Sequence, residues 1–271
     1  SRKPAINERS LKRKAWLPSF LLFTAFALLF FAGYSIIFSM QGFLDYAFYL
    51  IASFFAVAVV LTLHEFAHAF VAYKCGDLTP KIYGRLSLNP LKHFDILGLC
   101  LFAVAGFGWA KPVPINPNNF RHYRSGLALT ALAGVVCNYL TAFLFYPLFL
   151  LAGMLPGGWG AHLAADFTGY LYAYSVTFFV FNLIPLPPLD GWRVVEAVNR
   201  RRGRAFRWIQ RNGYYILIAL IALHFVMTLL RRYLDGVAAD VFLYCDPLGM
   251  LFDYVVWYVG WPIRALWGLV F

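Results

Sequence analysis

The chain has 271 residues, of which 62% are hydrophobic and only 13% charged, and it carries a net charge of +11. Soluble domains are about a quarter charged, so this composition excludes an ordinary soluble enzyme and points to an integral membrane protein. A basic balance can signal nucleic acid or a membrane surface; here the arginines and lysines lie between apolar runs and nothing resembles a nucleic-acid module, so orientation in a lipid bilayer is the expectation and no nucleic-acid partner is expected.

Residues 1–16 hold six basic side chains (Arg2, Lys3, Arg9, Lys12, Arg13, Lys14) against one acid, and are expected to stay cytoplasmic. With no obvious small-residue cleavage site, the following run at 17–39 reads as an uncleaved first span, long enough for a hydrocarbon core of about 30 Å. Residues 40–46 lack Lys and Arg and should lie outside; 47–74 returns inward. Within that second span the only ionisable groups before Lys74, tyrosines aside, are His64, Glu65 and His68.

Those three form HExxH. On a helix, positions i and i+4 share a face, so His64 and His68 can direct two imidazoles at one metal ion, with Glu65 one step round and close enough to act on water at that metal. The competing reading is an inert polar cluster. Ionisable groups inside a bilayer helix are costly unless paired or metal-bound, and of the glutamates Glu8, Glu65 and Glu196 only Glu65 lies in an apolar segment.

Residues 76–125 contain a short apolar, glycine-bearing run at 96–109, which suits a re-entrant segment better than a span. Charge favours the same reading: were it to cross, the seven arginines of 191–211 would fall outside. Three prolines in 111–117 exclude a helix and predict extended chain or edge strand, either a plain linker or, through Val113 and Ile115, an edge on which an unwound substrate could pair. Further spans are expected at 126–153, 167–184 and 212–230, with a broken, tryptophan- and tyrosine-rich sixth at 241–271. The arginines of 200–211 are expected at anionic headgroups. For His93, His122 and His224, ordinary hydrogen-bonded roles are expected, for His224 with a neighbouring helix. Cys75, Cys100, Cys137 and Cys245 show no CxxC spacing, hence neither a disulfide framework nor a thiolate cage.

Catalytic zinc sites usually take three protein ligands. The run Asn182-Leu-Ile-Pro185-Leu-Pro187-Pro188-Leu189-Asp190-Gly191 offers Asp190 as the third. A rival role makes Asp190 the N-cap of a helix starting at Trp192; with HExxH present the ligand role is favoured.

The chain resembles the site-2 protease family of intramembrane zinc metalloproteases, on HEFAH, GRLSLNPLKHFDILG (Gly84 to Gly98), GWAKPVPINPNNF (Gly108 to Phe120), AGVVCN (Ala133 to Asn138) and NLIPLPPLDG (Asn182 to Gly191). The resemblance implies one Zn2+ held by His64, His68 and Asp190, Glu65 as catalytic acid/base, and Asn182 and Asn138 near the reacting carbonyl as oxyanion or substrate-binding groups, the latter in a Gly-x-x-x-Asn motif with Gly134. It implies a transmembrane protein as substrate. No stretch is long and polar enough for the PDZ or CBS domains of many members, so one compact domain is expected. The expected architecture is an all-α polytopic membrane protein of about six transmembrane helices, with a re-entrant or β-hairpin segment between the second and third. The expected setting is the cytoplasmic membrane, with both termini cytoplasmic and the site towards that side.

Overall fold

A bilayer-length run without helix breakers folds as one helix, and the first element is of that kind: α1 spans Phe43–Cys75. The computed structural model describes residues 43–95, 98, 110–233 and 244–271. The expected first span at 17–39 and almost all of the re-entrant run at 96–109 lie outside these residues. Helix α1 starts at residue 43, inside what charge alone suggested was a link. It stops at Gly76, whose φ of 113° suits a residue without a Cβ. The Gly76 amide bonds the Tyr73 carbonyl and the Asp77 amide that of Ala72, satisfying the last orphan carbonyls in a Schellman turn.

The connection to the next long helix holds a one-turn helix, α2 (Thr79–Ile82), and two 3-10 turns, Pro90–Lys92 and Pro117–Asn119. Asn89 and Asn116 cap those turns by accepting from the amides of Leu91 and Asn118. Of the expected re-entrant or β-hairpin segment, the described residues show one antiparallel bridge between Phe94 and Ala110, supported by the Lys111 amide donating to the His93 carbonyl at 2.8 Å. Beyond Lys111, Pro112 and Pro114 have no N–H to give to a ladder. His93 is fully buried and its Nε2 lies 2.7 Å from the Ser87 carbonyl, an ordinary hydrogen-bonded role.

Helix α3 runs Tyr123–Gly153 and α4 Trp159–Asn182. With α1 they form a packed trio. Small residues (Ala52, Ala56 and Ala69 on α1; Ala131, Gly134 and Ala142 on α3) are buried, the composition that lets helix backbones approach closely. Aromatics fill the α1–α4 side, where Ala56, Val60 and Leu171 pack with Phe145, Tyr170, Tyr174 and Phe178.

A loop of prolines leads to α5 (Asp190–Val198), which packs on α3. Helix α6 (Arg204–Tyr233) follows, held by Trp192 of α5 stacked on Phe206 with ring centres 4.7 Å apart. It begins eight residues before the expected start at 212, because arginine is a good helix former and the run contains no breaker after Gly203. The last stretch is broken as expected: α7 (Pro247–Met250), a π-turn Leu251–Val255, and α8 (Val256–Trp267), whose Ile263 packs with Ala142 and Val176. His224 of α6 pairs at 2.7 Å with buried Asp246, which caps α7 through the Gly249 amide.

The regular elements among the described residues are thus helices. Among the described residues, three stretches are long and apolar enough to cross a membrane, namely Ala47–Cys75, Tyr123–Gly153 and Arg204–Thr228. Helix α4 coincides with the expected span at 167–184 but is not among them; it carries several polar or aromatic side chains, and Ser175 among them is buried against its neighbours.

One buried acid, absent from the sequence reading, fastens the connection. Asp77 is wholly buried; its Oδ1 accepts from the Thr79 amide (3.0 Å), the Thr79 hydroxyl (2.6 Å) and Asn119 Nδ2 (2.7 Å), and its Oδ2 accepts from the Asn116 amide (2.7 Å). Burial pushes this carboxyl up, but the donors from Thr79, Asn119 and Asn116 outweigh it and hold the group below the ordinary carboxylate range. Its contribution to stability is therefore complete above the unfolded-chain value of 3.8 and is lost as pH falls through the depressed folded value. Asp77→Ala should cost about 3 kcal/mol by leaving these donors unmatched. In thermal unfolding in detergent, wild type should lose stability between pH 4 and the acid limit by a component that Asp77→Ala lacks.

Candidate metal centre

The helical spacing of HExxH brings His64 and His68 onto one face of α1, and both rings are buried, with Nε2 atoms 2.9 Å apart. The proline loop after α4 delivers Asp190 to the same point. Its Oδ2 stands 3.3 Å from His64 Nε2 and 3.1 Å from His68 Nε2. Asp190 lies in the first turn of α5, and its side chain caps no helix; Leu189 holds the N-cap position. The N-cap alternative is therefore not how this residue is used. Gly191 permits the turn, since a Cβ there would collide with the Leu183 and Ile184 backbone.

The polar atoms at this point are arranged as donors to a cation. Oδ2 of Asp190 is buried without a hydrogen-bond partner, although two imidazole nitrogens face it. A tetrahedral ion with N or O bonds of about 2.0–2.1 Å separates its donors by about 3.3 Å. The three edges here, 2.9, 3.1 and 3.3 Å, fall close to that value. His64, His68 and Asp190 form the group of buried ligand-type side chains that could hold a metal ion.

Behind the rings, α3 sets their tautomers. His68 Nδ1 lies 2.7 Å from the Thr130 carbonyl, which can only accept, so Nδ1 carries the hydrogen and Nε2 offers a lone pair to the centre. His64 Nδ1 lies 3.0 Å from the Asn138 amide, whose Oδ1 is buried without a partner. Exchanging the amide's N and O resolves both facts: Oδ1 then accepts from Nδ1–H, and His64 Nε2 is also free to ligate. Asn138, expected from the resemblance near a reacting carbonyl, is here in contact with His64. It buttresses the rear of His64, and its amide is occupied there. Between the two buttresses sits Gly134, where a Cβ would fall within 2.6 Å of Cε1 of both rings. No side chain fits between α3 and the histidines.

Glu65 is half-buried, and its Oε2 accepts from the Val113 amide at 3.1 Å. The expected substrate edge therefore spends one of its two amides on Glu65. Ile115 packs its side chain against the cluster of Ala72, Phe120, Leu127 and Ala197, while its amide and the Val113 carbonyl bond no group among the described residues. Asn182 Nδ2 donates to the Phe178 carbonyl of its own helix at 3.1 Å. Thr130, Asp77 and the Glu65–Val113 bond escaped sequence reasoning. The partners in two of these are main-chain groups, which no motif records; the only signal for Asp77 was its place beside a helix-ending glycine.

A buried histidine pair and carboxylate with a half-buried glutamate adjoining, set among apolar helices, define a metallohydrolase-type centre. The chain is 43% identical over 170 residues to YwhC of Bacillus subtilis, named as a candidate zinc metalloprotease, the match covering 60% of this chain and 75% of that protein. It is 32% identical over 169 residues to Rip2 of Mycolicibacterium smegmatis and 30% identical over 175 residues to Rip2 of Mycobacterium tuberculosis, named likewise, spanning 62% and 65% of those proteins. No family model and no solved structure matches. The chain belongs to the site-2 protease family of zinc metalloproteases.

Because the gap at Gly134 is closed by ring atoms on a helix, Gly134→Ala should cost about 1–3 kcal/mol through overpacking. Gly153→Ala, at a position where a Cβ meets nothing within 4 Å, is the matched control and should leave the unfolding temperature unchanged or slightly higher.

Proposed function

We propose that the chain is an intramembrane zinc endopeptidase that hydrolyses peptide bonds within or near the transmembrane segments of other membrane proteins, in regulated proteolysis or in clearing membrane remnants. The reading is carried by the His64–His68–Asp190 triangle, buried among helices of bilayer-spanning length with Glu65 beside it. In this proposal those three side chains hold one Zn2+ in a multi-pass protein of about six membrane segments, with the centre towards the cytoplasmic side.

Zinc in such a site supplies Lewis-acid polarisation of a carbonyl and makes water acidic enough to lose a proton near neutral pH. The remaining steps belong to the chain. Glu65 takes the proton from the attacking water and returns it to the leaving amine nitrogen. The Val113 amide holds Oε2, which leaves Oε1 without a protein donor among the described residues and available for that transfer. Thr130 and Asn138 fix the two rings so that both Nε2 atoms face inward. Asn182, once its amide leaves the Phe178 carbonyl, supplies an N–H to the developing oxyanion. A substrate must present its scissile bond unwound, since carbonyls in an intact helix are bonded and shielded; segments with Gly, Pro or Asn meet that need. The Val113 carbonyl and Ile115 amide are the edge on which such an unwound segment pairs.

The decisive comparison is wild type against Glu65→Gln, co-expressed with a panel of tagged single-span membrane proteins. Fragments should form only with wild type, while the purified variant keeps its zinc by elemental analysis; cleavage by purified Glu65→Gln would sink the assignment. For the buttress, Asn138→Ala should weaken zinc binding by about 10–100-fold in a chelator competition. Asn138→Asp, which keeps an acceptor for Nδ1–H, should recover most of that loss; equal losses in the two variants would contradict the amide orientation deduced above.

A further inference from the structure

Seven arginines lie between Gly191 and Arg211, with Glu196 as their only acidic neighbour in that stretch. Among the described residues the one ion pair they form is Arg202 with Glu196, at 3.5 Å. Arg204, Arg207, Trp208 and Arg211 are all exposed, and their spacing of three, four and seven puts them on one face of the first turns of α6. Arg207, Trp208, Arg211 and Asn212 line an open cleft of about 660 Å³. Arg207 is oriented there by Nη1 donating to the Arg202 carbonyl at 2.9 Å, which leaves most of its N–H groups unused.

Arg207, Trp208 and Arg211 occupy the first two turns of the candidate span Arg204–Thr228, so this cationic cleft stands at one end of a helix apolar enough to cross a membrane. That position selects among anionic partners. We propose that the corner between α5 and α6 is a binding surface for the phosphate headgroups of anionic phospholipids, with Arg207, Trp208 and Arg211 as its contacts. Guanidinium forks match phosphate oxygens in pairs, and the exposed Trp208 ring suits the boundary between headgroups and acyl chains. The surface is held in place from the protein side. Trp192 stacks on Phe206 beneath it, and Pro187 lies against Gly213, so the corner is braced against the loop that carries Asp190. The inference stands apart from the metal chemistry and needs no activity measurement.

The test uses the purified full chain in detergent, titrated with dioleoylphosphatidylglycerol, dioleoylphosphatidylcholine or inorganic phosphate, and read by native mass spectrometry and by thermal unfolding. Wild type should retain phosphatidylglycerol adducts and gain unfolding temperature relative to phosphatidylcholine, an effect weakened as salt rises. Arg207→Gln/Arg211→Gln should lose phosphatidylglycerol affinity by about tenfold or more, the scale set by losing two charge-assisted contacts. Arg121→Gln/Arg124→Gln, a pair of exposed arginines at the start of α3, is the charge-matched control and should bind as wild type does. Equal phosphatidylglycerol binding by wild type and the Arg207/Arg211 variant would overturn the proposal, as would an equal loss in the control pair. Inorganic phosphate reproducing the stabilisation would make this a free-anion site and overturn the lipid assignment.

Discussion

Everything in this molecule turns on placing two imidazoles and a carboxylate among apolar helices without leaving their polar atoms in hydrocarbon-like surroundings. Each unmatched polar atom there costs more than one ordinary contact returns. The rear nitrogens of the rings are met by α3, through the Thr130 carbonyl and the Asn138 side chain. The inward-facing atoms are left for one another, and Asp190 Oδ2 for no donor at all. A buried carboxylate oxygen with that history makes physical sense as a ligand.

The centre is assembled from three parts of the chain with different stiffness. The histidines ride on the longest described helix and the buttresses on the next longest. Asp190 comes from a proline loop whose path is secured by backbone contact at Gly191 and by Pro187 against Gly213. The extended strap at 111–117, which helical packing cannot hold, is fastened from outside. Asp77 grips Asn116 and Asn119, and three residues upstream Val113 reaches Glu65. The strap that holds Glu65 is thus fastened by a hydrogen-bond cluster beyond the end of α1.

What could be read in advance followed from periodicity and from breakers. HExxH in an apolar run predicts a helix that pairs His64 with His68, and the proline brake before Asp190 predicts a turn aimed elsewhere than along α4. Both arrangements are present. The apolar runs located the long helices, but their ends moved: α6 starts within the arginines, and α4 falls short of the apolarity of a lipid-facing span because it carries His162, Asp166 and several threonines, tyrosines and glycines. The contact of Asn138 with the rear of His64 was not legible, since a motif names a residue without saying which face of a ring it meets. The carbonyl of Thr130 and the amide of Val113 have no side-chain signature, so no inspection of residue types could reveal them.

Thr130, Gly134 and Asn138 are spaced four apart and so form a single stripe on α3, doing three unlike jobs: an acceptor for one ring, a gap for both, and a side-chain partner for the other. The stripe works as a ruler with three marks. Inserting one residue between the first and last marks swings one of them about 100° around the helix and off the histidines. Helix length can drift at the distal end near Gly153 without touching the centre. Between 130 and 138 the register of α3 is a single heritable unit, in which change at one mark has value only if the other two stay where they are.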